Sequence, residues 1–231
     1  ARKKHTQTLL SLASSIELNW INELFPDEMI AHSECEFDPA PKRVESYRIK
    51  RFRGMELTRE REPVTNPKTA GLALAKACLH DWFKPKSLDN SIKELILRLN
   101  WICEARPDLE FPPLDEKAVL ICLTKAFEGM TFAKEAIKAD VKPAFRKHMA
   151  EAQWEWLDEF APTTVDWPND QPKKIHYPEF PIDKHGKIVP VELHVKLHEC
   201  FRLDKHPSIC ENKQIVRFKL LTPKNKKIDF C

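Results

Sequence analysis

The sequence predicts an α+β fold, and three features carry that prediction. Residues 34–57 alternate apolar and charged side chains with the period of a strand. Residues 67–160 repeat apolar side chains at helical spacing, and residues 162–231 are short runs punctuated by prolines. The predicted order is a β-meander (1–62), a helical bundle (63–161) and a small β-rich C-terminal part (162–231).

The first part opens with LLSLASSIELNWINELF, in which Trp20, Leu24 and Phe25 fit helical spacing before Pro26 breaks the pattern. Glu34, Glu36 and Asp38 then alternate with Cys35 and Phe37, and DPAPK supplies a turn. In the next run Tyr47 and Ile49 point one way while Arg48 and Lys50 point the other. Gly54 interrupts before Met55 and Leu57 resume the alternation. Three short antiparallel strands with one basic face follow from this.

The middle part begins at Asn66, an N-cap residue type, with Pro67 at the first helical position. Ile92, Leu95, Ile96, Leu99 and Ile102 form one apolar stripe that stops before Pro107. LDEKAVLICLTKAFEGM predicts another helix, and Val141 to Phe160 one more, with Phe145, Met149, Trp156 and Phe160 near one side. About four helices joined by short proline-marked links make a compact bundle. In the last part Ile215, Arg217 and Lys219 alternate with Val216, Phe218 and Leu220, as in a strand.

Composition narrows the function. The chain has 231 residues, 42% hydrophobic and 32% charged, in the range of folded globular proteins. No run approaches the ~18 apolar residues of a membrane span, and nothing resembles a signal peptide. The chain starts at Ala1, without Met, on ARKKH, as a processed start or a fragment would. Seven cysteines, scattered and never spaced CxxC, predict reduced thiols in a cytoplasmic protein.

Net charge is only +3, but it is unevenly placed. Residues 23–38 carry six acids and no Lys or Arg, whereas residues 42–53 carry Lys42, Arg43, Arg48, Lys50, Arg51 and Arg53 against Glu45 alone. Residues 213–227 add Lys213, Arg217, Lys219, Lys224, Lys226 and Lys227 with no acid. Two such segments suggest a basic patch; the plainer reading is a solvated face. There is no GxxxxGK[ST], GxSxG, HExxH or DxDxDG, so no catalytic residue and no cofactor site is predicted. By its own residues the chain reads as a binding module.

The stretch VELHVKLHECF (191–201), followed by His206 and Cys210, invites a metal reading. It is ambiguous between strand and helix. On a helix His194 and His198 would lie about 6 Å apart. On a strand they would stand ~13 Å apart, at about 3.3 Å per residue, too far to share an ion. Structural zinc sites use tighter Cys and His spacing, so no metal is predicted.

Read in order, several of these pieces resemble the C-terminal region of bacterial HrpB-type ATP-dependent helicases of the DEAH/RHA group. ASSIELNWINELFPDE, EFDPAPKRV and the basic strand ending near Gly54 are similar to the stretch that follows the helicase core in that family. QWEWLDEFAPTTVDWP, KKIHY, VPVELHVKLHECFRL, PSI and VRFKLLTPKNKKI resemble its later motifs in the same order. The chain departs from the pattern at His198 and Arg202, where the family has Gln and Gly, and in the lysines of its closing run. The two RecA-like motor domains, with their P-loop and DEAH box, have no counterpart in this sequence.

The resemblance implies a partial OB-like character for the meander and a helix for at least the second half of residues 191–201, with His194 and His198 on an amphipathic packing face. It also implies a role: an accessory region that binds single-stranded RNA and packs on the RecA-like motor domains, in cis or in trans, with no catalysis of its own. Arg43, Arg48, Lys50, Arg51 and Arg53 would contact phosphates, and Tyr47 or Phe52 could stack on bases. For Tyr47 the plainer reading is the core side of a strand. ATP and Mg would belong to the motor. The competing reading is a protein-interaction scaffold that docks through Trp154, Trp156 and Trp167.

Overall fold

A computed structural model describes residues 14–168, 171–201, 203–211 and 213–222. The ARKKH start, the first residues of the N-terminal amphipathic run, Arg202, Lys224, Lys226, Lys227 and the closing KKIDF run lie outside the described residues.

A short helix α1 (Leu18–Leu24) and a single 3-10 turn at Pro26–Glu28 lead into a meander of β1 (Met29–Asp38), β2 (Arg43–Phe52) and β3 (Met55–Glu62). The strands pair antiparallel in the order β1-β2-β3. The β2–β3 connection is a two-residue hairpin, with Phe52 paired to Met55 and positive φ at Arg53 (47°) and Gly54 (85°). That is the primed-turn geometry whose twist matches the strands, and glycine supplies one of its two left-handed positions without strain. A bulge at Lys50/Arg51 shifts the register near the tip. The OB-like reading rests on the resemblance; these strands form an open sheet.

The helical part contains α2 (Pro67–Leu79), α3 (Asn90–Ala105), α4 (Glu116–Ala126), α5 (Ala133–Lys138), α6 (Lys142–Arg146) and α7 (Glu151–Phe160). Asn66 caps α2 by accepting from the Lys68 and Thr69 N–H groups, as its residue type predicts. The single helix expected over 141–160 is two. Its break at 147–150 lets Met149 bury and puts His148 Nε2 3.2 Å from the Pro112 and Pro113 carbonyls. Helices α2 and α4 approach closely because residue 71 is glycine: a Cβ there would stand 2.7 Å from the Thr124 carbonyl oxygen.

The C-terminal part holds β4 (Thr164–Val165), β5 (Lys173–His176), β6 (Glu192–Lys196), the turn-length helix α8 (Leu197–Cys200), the β7 (Ser208–Ile209) and β8 (Gln214–Ile215) pair, and β9 (Arg217–Leu221). Four of the strands form a sheet in the order β4-β5-β6-β9, with β6 and β9 parallel. One cluster of buried side chains runs from Val44 through the helices to Val216. Trp101 is its hinge: fully buried, edge-on to Tyr177 at 5.4 Å, and donating Nε1–H to the Val189 carbonyl at 2.8 Å. Arg98, also buried, donates to the carbonyls of Ala161 and Leu157 and to Asp158, satisfying the C-terminus of α7 from α3.

The stretch 191–201 is strand first and helix second. Val191, just before β6, and Leu193 and Val195 within it are buried, and then one helical turn follows. That turn is not a packing helix: it has no buried residue, and Leu197 and Phe201 are exposed. The apolar content expected of an amphipathic helix is delivered by the strand, whose alternate residues fall on the core side.

Candidate nucleic-acid interface

The β1–β3 sheet has two unlike faces, fixed by its register. On one face lie His32, Glu34 and Glu36 of β1, Arg43, Glu45, Tyr47, Ile49 and Arg51 of β2, and Arg59 and Arg61 of β3. Opposite charges sit side by side here and pair. Arg51 reaches Glu34 at 3.1 Å and Arg59 reaches Glu36 at 2.8 Å, while the buried Glu45 takes both Arg43 and Arg61 at 2.5 Å. Ile49 is 0% exposed yet lies outside the main apolar cluster, and the Arg59 guanidinium stands 4.7 Å over the Tyr47 ring. This is a lid of ion pairs over a small apolar strip. The hydrogen bond from His32, opposed by partial burial and helped by Arg51, holds the Glu34 carboxyl below its ordinary value. The hydrogen bond from Arg59 does the same for Glu36.

The other face divides along its length. Its lower half packs on the helices: Val44 is buried, Phe37 meets Phe83 at 5.8 Å, and Cys35 Sγ lies 3.3 Å from Thr69 Oγ1. Its upper half is open and carries Ser33, Arg48 and Glu60 in one row and Ala31, Lys50 and Thr58 in the next. Arg48 is exposed and Lys50 half-exposed, and neither makes an ion pair among the described residues. Arg53 at the hairpin is engaged, bonded to Glu28 and lying over the Phe25 and Phe52 rings at 5.5 and 5.2 Å.

The five cations singled out by sequence are therefore not one patch. Arg48 and Lys50 share an open face, Arg43 and Arg51 belong to the ion-paired face, and Arg53 caps the tip. Of the rings expected to stack, Tyr47 is covered by Arg59 and Phe52 packs on Phe25 at 5.5 Å.

A second cationic face, which sequence reasoning did not assemble, lies on the C-terminal sheet. Register places Lys174 and His176 of β5, Glu192, His194 and Lys196 of β6, and Arg217 and Lys219 of β9 on its outer side. The His176 and His194 rings stack at 4.0 Å with an 18° interplanar angle. The signal was present as three cation-x-cation triplets, in KKIH, LHVK and VRFK.

The metal reading does not survive the geometry. His194 stacks on His176, and His198 is exposed on the turn beyond the strand. Among the described residues no three His, Cys, Asp or Glu side chains converge to hold an ion. Burial pushes the thiols of Cys78, Cys103 and Cys210 up to about 11, so they are not thiolates at neutral pH. No helix among the described residues is long and apolar enough to cross a membrane.

The small open sheet carries its cations on a helical body, in a chain of α+β class. Residues 122–231 match the family model described as ATP-dependent helicase C-terminal (HrpB_C). Two solved structures share the fold. The Escherichia coli DExH-box NTPase HrpB matches 93% of this chain at a TM-score of 0.66 and 17% identity. A structure described as the Escherichia coli DEAH/RHA helicase HrpB matches 89% at a TM-score of 0.64 and 17% identity. The chain spans about a quarter of the length of those proteins, 26% and 25%. No curated protein matches it.

Proposed function

We propose that this chain serves as the strand-gripping accessory region of an ATP-dependent RNA helicase. In this reading it holds single-stranded RNA on the meander and packs against RecA-like motor domains, which supply ATP hydrolysis. The observation that carries the reading is the open upper face of β2, where Arg48 and Lys50 stand without ion-pair partners among the described residues. A free cation in water meets a phosphate without first giving up an ion pair, and each such contact releases condensed counterions. Arg43, Arg51 and Arg53 would reach phosphates only by leaving Glu45, Glu34 and Glu28.

The scaffold reading receives less support. Of its three tryptophans, Trp167 is 5% exposed, and Trp154 is half-buried with Arg146 over its ring. Only Trp156, 44% exposed, presents a free surface among them.

Titration of the purified chain with fluorescein-labelled oligouridylate, from low to physiological salt, tests the proposal. Affinity should fall linearly in log–log form, by roughly 0.7 per phosphate contact on a single strand. Absence of binding at low salt, or binding indifferent to salt, would contradict it.

A further inference from the structure

We infer that the outer face of the C-terminal sheet is a second contact surface for single-stranded RNA, with the stacked His176–His194 pair as its platform. The inference takes RNA as the ligand from the reading above but assigns it a separate site.

The face is cationic by construction. Lys174, His176, His194, Lys196, Arg217 and Lys219 occupy it, and Glu192 is the one acid that the register places among them. That acid is shared: its carboxylate stands 3.6 Å from both His194 Nε2 and Lys219 Nζ. Lys174 is bonded at 2.8 Å to Glu94 of α3, at the rim of the sheet. Arg217 is exposed. Cations two apart on a strand repeat every ~6.6 Å, and neighbouring strands repeat at ~4.8 Å. The face is thus a lattice of positive sites on the scale of successive backbone phosphates.

The ring pair favours nucleic acid over an acidic protein. The two imidazoles, 4.0 Å apart and nearly parallel, cover one face of each other and leave each ring one outer face, that of His176 on an exposed residue; bases in single-stranded RNA stack on such rings. Aspartate and glutamate side chains gain nothing from that flatness.

The same pair makes binding pH-dependent. Around His176 stand Lys174 on its own strand, Glu192 and His194 on β6, and Glu94 on α3. Burial first, then His194 and Lys174, hold its imidazole below the ordinary histidine value despite the two glutamates. A phosphate over the pair favours the imidazolium form, so binding takes up protons and tightens as pH falls.

The test uses the full chain, labelled oligouridylate, and pH 8 and pH 6 at fixed salt. Wild type should bind several-fold more tightly at pH 6, and His176→Gln with His194→Gln should lose most of that gain. Lys196→Glu with Arg217→Glu, neither in an ion pair among the described residues, should weaken binding about tenfold, and the milder Lys196→Gln with Arg217→Gln should lower the salt slope by about 1.4. Wild-type affinity and slope in the Lys196/Arg217 variants would overturn the inference. If Arg48→Glu with Lys50→Glu still weakens binding in that event, the meander reading stands without the second site. If only the C-terminal variants weaken it, the meander reading fails and this one stands. Polyglutamate of matched charge displacing the RNA equally well would reassign the face to acidic peptides and overturn it too.

Discussion

The helical body and the β1–β3 meander handle charge in opposite ways. In the body, apolar burial does the holding, and the buried Arg98 is spent on the carbonyl end of α7. In the meander, the strip around Ile49 is too narrow to exclude water with apolar atoms, so Glu34, Glu36, Glu45 and their arginines roof it. A strand region that spends its cations on its own stability has few left for a ligand. The meander's strand cations left unpaired among the described residues, Arg48 and Lys50, are for that reason informative.

The two regions should break differently. Trp101→Ala removes a buried ring, its contact with Tyr177 and its bond to Val189, and should lower unfolding stability by about 3–5 kcal/mol in urea titrations. Loss below 1 kcal/mol would mean that the body is not held through this ring. In the meander, Glu45→Gln drops the charge between Arg43 and Arg61 and should cost about 1–2 kcal/mol. A neutral effect in the same titration would show that the roof is ornamental.

Acid should act next, and more gently. Glu34 and Glu36 have folded-state pKa values below their unfolded ones, so their contribution is present above the ordinary glutamate value of about 4.3. It fades as pH falls through that value toward the depressed ones. Hydrogen exchange at pH 3 to 4 should therefore show β1–β3 losing protection before α3 does. The reverse order would refute the division of labour drawn above.

Much of this architecture is legible in the sequence. Helical spacing of Ile92, Leu95, Leu99 and Ile102 marks α3, all four being buried, and Gly54 marks the hairpin. Strand alternation in β2 separates Tyr47 and Ile49 from Arg48 and Lys50 as expected. Pairing is what a linear reading lacks. The cross-strand partners of Arg51 and Arg59, Glu34 and Glu36, lie 17 and 23 residues away and are brought alongside only by register. The outer face of the C-terminal sheet was hidden likewise, because its triplets come from strands that adjoin only once folded. In 191–201 the helix and strand periods overlap, and the hydrogen-bonded sheet decided the outcome for residues 192–196.

The central claim is that free cations, not merely basic residues, form the meander's RNA contact. Comparing the salt dependence of oligouridylate binding by Arg48→Gln/Lys50→Gln and by Arg43→Gln/Arg51→Gln tests it directly. The account predicts that the first pair lowers the log–log slope by about 1.4 while the second leaves it near wild type. Equal slopes in the two variants, or a larger loss from the ion-paired arginines, would contradict it.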